Sequence, residues 1–283
     1  MTTIGLRFVR MTVKLFTDDK IAETSSKGNQ EKWQDNGLWY KVDQFGYEAL
    51  AEALTSKLLE YSNIEHDTPF TFVRYDIHRV KVHGFERVAC VSNNFLKKEQ
   101  KLITLNSLYK QSNIGSLKGK LMTLSSDKKR IMYIVDFTKE LTGLDYFDKY
   151  LTLLFEVDSL ILNDDRHLNN IAVIEENGKF SYCPIFDNGA GLLSNVQVLR
   201  TDIDPKGLIS SLKASPFNMT FNRELNTVRN LYGKVISLPK FDREKLSELI
   251  KPMLDFYPQR DRGIISDRVI ECILQRQKYL LKA

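Results

Sequence analysis

The chain has 283 residues, 42% hydrophobic, 11% aromatic and 27% charged. That is enough apolar surface to offset the entropy of ordering it, which excludes disordered and fibrous classes. Lys plus Arg total 41 against 36 Asp plus Glu, a formal charge of +5 spread along the chain; this suits phosphate ligands and is too weak to indicate nucleic-acid binding. Cys90, Cys183 and Cys272 are odd in number and far apart, against a structural zinc or a disulfide scaffold. No apolar run approaches the ~18 residues of a membrane span, so a soluble, cytoplasmic protein is expected.

In chain order, Trp33-Gln34 and Leu38 to Val42 flank Asp35-Asn36-Gly37, hairpin chemistry because Asn and Gly tolerate positive φ. Glu48 to Leu59 consists of strong helix formers, with Leu50, Leu54 and Leu58 recurring every four residues, and reads as an amphipathic helix. Thr71 to Val82 and Glu86 to Ser92 read as two further strands around His83-Gly84. Beyond about Asn94 helical patterns dominate: Tyr146 to Leu162, then Phe241 to Tyr257 and Ile264 to Leu281, separated by Pro258 and Gly263. The expected fold is α+β, a strand-rich lobe over 1–94 and a larger helical lobe over 95–283, meeting at a cleft.

The most informative segment is Asn163-Asp164-Asp165-Arg166-His167-Leu168-Asn169-Asn170, polar residues between an apolar helix and an apolar strand. Seventeen residues after Asn170 comes Phe186-Asp187-Asn188-Gly189, an acid expected at the end of a second short strand. Phosphoryl transfer needs such a set, because the protein mainly positions reactants and neutralises charge. One carboxylate accepts the nucleophile's proton, which assigns Asp165 as base; a carboxamide and a second carboxylate, Asn170 and Asp187, offer the oxygens a hard magnesium ion prefers. Asp-x-x-x-x-Asn followed by Asp-x-Gly matches the catalytic loop and metal turn of kinase-like folds.

In ordinary protein kinases His-Arg precedes the Asp. The order Asp165-Arg166-His167 instead resembles the HipA-like kinases and, more distantly, the phosphoinositide kinases. Ser25-Ser26-Lys27-Gly28-Asn29-Gln30-Glu31-Lys32 is similar to the Ser-x-x-Gly-x-Gln-x-Lys stretch that stands in HipA-like kinases in place of a Gly-rich nucleotide loop. The likeness runs from about Ser25 to the last helices and is closest to the compact members lacking an extra N-terminal domain. It implies a two-lobed kinase-like fold using ATP and magnesium, with Gly28, Gln30 and Lys32 in the nucleotide loop. Ser25 and Ser26 become autophosphorylation candidates, Ser25 favoured because it stands three residues before Gly28. Lys41, on the strand after the loop, would hold ATP phosphates against a helix carboxylate; Glu48 and Glu52 share a face, and the family pattern favours Glu48. Backbone near Val91, at the crossover Cys90 to Phe95, would meet the adenine. Arg166 would fix the loop, and His167 would orient Asp165 or accept a proton itself.

The resulting expectation is a kinase that transfers phosphate to a Ser or Thr of a protein substrate, a candidate toxin or effector with an antitoxin as a candidate partner. Two readings stand beside it: a small-molecule or phosphoinositide kinase on the same fold, and a pseudokinase whose cleft only binds. Lys213 to Phe221 falls where kinases carry substrate-binding segments; its aromatics either contact a peptide or pack on the large lobe.

Overall fold

The computed structural model describes residues 14–15, 30–112 and 115–282. The calls on Ser25, Ser26 and Gly28 lie outside these residues. Strands β1 (Lys14–Leu15), β2 (Lys32–Asp35), β3 (Leu38–Val42), β4 (Asp76–Val82) and β5 (Phe85–Asn93) form a sheet of order β1-β4-β5-β3-β2. Only β1, paired with β4, runs parallel to its neighbour. Two-residue turns close both hairpins, Asn36-Gly37 (φ 48° and 78°) and His83-Gly84 (φ 49° and 79°), left-handed pairs whose twist matches that of the flanking strands.

Helix α1 (Glu48–Leu59) crosses under this sheet with every residue but Lys57 buried, and a single helical turn, α2 (Ile64–Asp67), follows it. The expected strand from Thr71 begins only at Asp76, because 71–73 pairs elsewhere: Phe72 makes a parallel bridge to Ile185, with Ile185 N–H donating to Thr71 and Val73 N–H to Ile185. A stretch assigned to the small sheet thus fastens the segment that leads to Asp187.

A second antiparallel sheet, β6 (Lys101–Thr104), β7 (Ala172–Glu176) and β8 (Lys179–Tyr182), opens the C-terminal part. The expected strand into Asp187 ends at Tyr182, and β6 had no signal because four residues are too few for a period to register. Around these strands stand α3 (Leu105–Ser112), α4 (Leu117–Met122), α5 (Asp127–Thr142), α6 (Phe147–Ile161) and α7 (Pro205–Ser211). The short pair β9 (Lys213–Ala214) and β10 (Met219–Thr220) leads into α8 (Phe221–Tyr232), α9 (Arg243–Leu254) and α10 (Gln259–Leu280). Helix α10 starts five residues before the expected Ile264. Gly263 does not break it: the residue is exposed within the first turns, where glycine costs only about 1 kcal/mol. Phe217 stacks edge-on against Phe155 at 6.2 Å and Phe221 is buried, so these aromatics pack on the large lobe.

Candidate active site

Helix α6 is apolar on nearly all sides, with only Asp148 and Lys149 outside its buried set, and it ends at Leu162 in the left-handed conformation (φ 56°). That reversal throws Asn163 to Ile171 back along the helix end as a loop. Asp158, in the last turn of α6, and Arg166, in the loop, form an ion pair at 2.9 Å with both side chains shut off from solvent. Arg166 also donates to the carbonyls of Asn170 (3.3 Å) and Phe186 (2.6 Å) and to Asn188 Oδ1 (2.8 Å). One guanidinium therefore binds the loop that carries Asp165 and Asn170 to the turn that carries Asp187. Burial pushes the Asp158 carboxyl up and Arg166 pulls it back, the usual balance of a desolvated pair. The expectation that Arg166 fixes the loop describes this geometry.

Asp165 is exposed at the loop's tip. Desolvation is the largest influence on it and raises its pKa; His167 and Arg166 act against that, and Asp187 adds to it. A carboxylate raised in this way is a better proton acceptor. His167 N–H donates to the Asp165 carbonyl at 2.7 Å, and Nδ1 accepts from Asn169 N–H at 3.3 Å, so the ring's contact with Asp165 is through the field. Asn170 Nδ2 donates to the Asp165 carbonyl at 3.0 Å, and its Oδ1 accepts no hydrogen bond from a described residue. Asp164 is half-buried, and burial together with the Asp165 charge lifts it to about 6.

Asp187 stands at φ 62°, a left-handed setting that Asp tolerates better than most residues. Its Oδ1 accepts from Lys41 Nζ at 2.7 Å, and Lys41 donates also to Glu52 Oε1 at 2.5 Å. Burial works against the Asp187 charge, but Lys41, with Arg166 and Lys32 farther off, holds the carboxyl down at about 2. Lys41 suffers the strongest desolvation of its influences, and Asp187 and Glu52 outweigh it, so the ammonium stays charged.

The pairing of Lys41 with Glu48 is corrected by this geometry: the partner is Glu52, wholly buried, which also accepts from Asn188 N–H at 2.8 Å. Glu48 turns back to cap the entry of α1, its two oxygens taking the N–H groups of Phe45 (2.6 Å) and Gly46 (3.1 Å). Lys32 lies opposite Lys41 in register and so shares its face. Its ammonium makes no hydrogen bond to a described residue, and burial lowers its pKa, with Asp187 opposing. Gln30 Nε2 donates to the Val42 carbonyl at 2.8 Å, which ties the end of the loop segment to β3.

Val91 is also corrected. It sits opposite Tyr40 on β3 and opposite Asp76 on β4, so its backbone groups face a neighbouring strand and are not open to a base. Backbone freedom begins beyond it, where β5 ends at Asn93. There Phe95 packs on Phe186, the residue before Asp187, at 5.8 Å. Cys90 is buried in the core.

Sequence reasoning missed the brace behind the site. Arg268 of α10, 2% exposed, donates to the carbonyls of Leu193 (3.0 Å), Leu199 (2.8 Å) and Arg200 (3.1 Å) and to Tyr47 Oη (3.2 Å). Tyr47 in turn donates to the Leu192 carbonyl at 2.9 Å. A Cβ on Gly46 would fall 2.0 Å from the Ser194 carbonyl oxygen, so glycine is what lets these backbones meet. Tyr257 Oη donates to Asp43 Oδ2 (2.8 Å) and accepts from Leu50 N–H (3.2 Å). The helix that supplies Glu52 is thus held from the far end of the chain.

Asn170 Oδ1 and Asp187 Oδ2 accept no hydrogen bond from a described residue, and an amide oxygen with a carboxylate oxygen is the donor type that a hard magnesium ion takes alongside substrate phosphates. Among the described residues no group of three or more His, Cys, Asp or Glu side chains could hold a metal alone. No protein-family model matches the sequence, and no curated protein does. Among solved structures, the crystal structure of the Helicobacter pylori proinflammatory kinase CtkA is similar over 91% of this chain and 93% of that one, with TM-score 0.57 and 15% identity. The chain has the fold of the kinase CtkA. The likeness to CtkA bears out the expected fold class, a strand-rich N-terminal part and a helical C-terminal part. Shewanella oneidensis HipA, solved with HipB and operator DNA, is similar at TM-score 0.46 and 11% identity over 91% of this chain and 66% of that one.

Proposed function

We propose that the chain is an ATP- and magnesium-dependent protein kinase of the HipA-like type, transferring the γ-phosphate to Ser or Thr. The observation that carries this reading is the joining of Asp165, Asn170 and Asp187 through Arg166, opposite a buried Lys41–Glu52 pair, on the fold of a kinase. In it Asp165 takes the acceptor's proton, Asn170 and Asp187 hold magnesium, and Lys41 and Lys32 face the phosphates. When bound, the metal supplies charge neutralisation between phosphate oxygens. Ser25 and Ser26 are the proposed autophosphorylation sites, and the crossover near Asn94 divides nucleotide lobe from catalytic lobe. An antitoxin belongs to the proposal only as membership among the HipA-like toxins implies it. Among the described residues no helix is long and apolar enough to cross a membrane.

The test is purified protein with labelled ATP, magnesium and a lysate. Label on a discrete protein band is expected, with Asp165→Asn folded and ATP-binding but slower by ~10²–10⁴, and Asp187→Asn deficient in magnesium-dependent nucleotide binding. Label in the lipid fraction, or full turnover by either variant, would overturn the reading.

A further inference from the structure

Away from the candidate active site, an open pocket of about 500 Å³ runs along α8 beside the C-terminal end of α10, lined by Asn222, Asn226, Asn230, Lys234, Tyr279 and Lys282 together with Leu225 and Arg229. We propose that this cavity binds a small phosphate-bearing anion.

Four observations carry the inference. First, no Asp or Glu lines the cavity, in a chain with 36 of them. Second, the cations that helix C-termini call for are supplied by other residues. Lys149 donates to the Tyr232 carbonyl, ending α8, while Arg229 donates to the carbonyls of Leu280 (3.0 Å) and Lys282 (3.1 Å), ending α10. Arg229 is itself neutralised by buried Glu156 at 2.7 Å. Lys234 and Lys282 are therefore surplus to the helix ends, and neither makes an ion pair with a described residue. Third, asparagines 222, 226 and 230 stand one turn apart on α8 and so face the same way. Arg276 donates to Asn222 Oδ1 at 2.8 Å, which consumes that acceptor and leaves the amide N–H groups to point away from it. Fourth, the Tyr279 ring lies 4.9 Å from the Arg276 guanidinium and 5.7 Å from the Lys282 ammonium, so the aromatic face in the pocket is itself flanked by cations.

The lining is thus two ammonium groups and three carboxamides, each of which can turn an N–H donor to a ligand. An anion with several strong acceptor oxygens satisfies such a set, and phosphate does so better than a carboxylate because it offers oxygens in three directions. The volume admits a diphosphate or a mononucleotide.

The experiment follows side-chain amide resonances of ¹⁵N-labelled protein during titration with inorganic pyrophosphate and, separately, AMP, without magnesium and at constant ionic strength. Saturable shifts of the Asn226 and Asn230 amides are expected, weakened at least tenfold by Lys234→Ala with Lys282→Ala, two exposed changes that leave phosphotransfer and melting temperature intact. Equal affinity for both probes supports a site that reads phosphate alone. Tighter AMP binding that is lost in Tyr279→Leu supports a nucleoside phosphate. Shifts that chloride reproduces, fail to saturate, or persist in the double variant would overturn the proposal.

Discussion

At the scale of single residues, two glutamates one turn apart on α1 do different work, and what separates them is what they can reach. Glu48 sits at the helix start, where unpaired N–H groups are within a side chain's length, and it caps Phe45 and Gly46. Glu52 is one turn deeper, where the Lys41 ammonium reaches it at 2.5 Å. Removing one member of a buried ion pair leaves the other charge uncompensated, which costs about 3–5 kcal/mol. A double-mutant cycle in nucleotide affinity or stability should give coupling of about 1–3 kcal/mol for Lys41 with Glu52 and none beyond about 0.5 kcal/mol for Lys41 with Glu48. The reverse order would mean that Glu48 leaves its cap to serve the lysine. Asp165, Asn170 and Asp187 were legible in sequence because turns of polar residues between apolar runs stand out. Glu52 was not distinguishable from Glu48, since helical periodicity puts both on one face and says nothing of which meets a strand 11 residues earlier. Arg166 was legible as a loop anchor, but its partner Asp158 lay hidden inside an apolar helix pattern.

At the scale of elements, strand β3 and helix α1 were readable to the residue, the first from the Asn36-Gly37 turn before it and the second from its leucines, whereas β2 runs one residue past the expected Trp33-Gln34 at each end. Segment 71–75 and strand β6 were not, because their pairing partners arrive from more than 60 residues away and leave no local period. The same holds for the contact between α10 and the segment 193–200 that follows Asp187-Asn188-Gly189. Arg268 is buried there with three carbonyls and one hydroxyl for company, so it acts as a strut joining helix, segment and Tyr47. Arg268→Gln should strand several of those carbonyls, at about 1–3 kcal/mol for each left unpaired, and free the segment before it unfolds the helix. Trypsin cleavage after Arg200 is expected to accelerate about tenfold or more while nucleotide affinity, which the proposed function assigns to Lys41, changes little. Arg276→Gln is the control, since Arg276 ties α10 to Ser159 and Asn222 instead. Equal cleavage rates in the two variants would remove the strut from the account.

At the scale of the molecule, the division into a sheet-rich and a helical part conceals a shared interior. Leu50, Leu54 and Leu58 of α1 belong to the same buried cluster as Leu153 and Val157 of α6, Ile250 of α9 and Ile273 of α10. Beyond this the sheet has only a small separate cluster, Trp33, Tyr40, Val42, Val80, Val82, Ala89 and Val91 with Leu38 against it. The tie from Tyr257 to Asp43 adds a polar link in the same place. Helix α1 is the sheet's own support, and it cannot leave the helical part without exposing its apolar face. One cooperative transition is therefore expected for the whole chain. Composition provides two independent probes: the chain's two tryptophans, Trp33 and Trp39, lie on β2 and β3, whereas far-ultraviolet dichroism reports mainly the C-terminal helices. Their denaturant midpoints should coincide, and Leu54→Ala, a cavity in the shared core worth about 2–5 kcal/mol, should move both by the same amount. Loss of tryptophan signal while the helical signal persists would show that the sheet and α1 come away as a unit, and that the contacts across the two parts are weaker than their burial indicates.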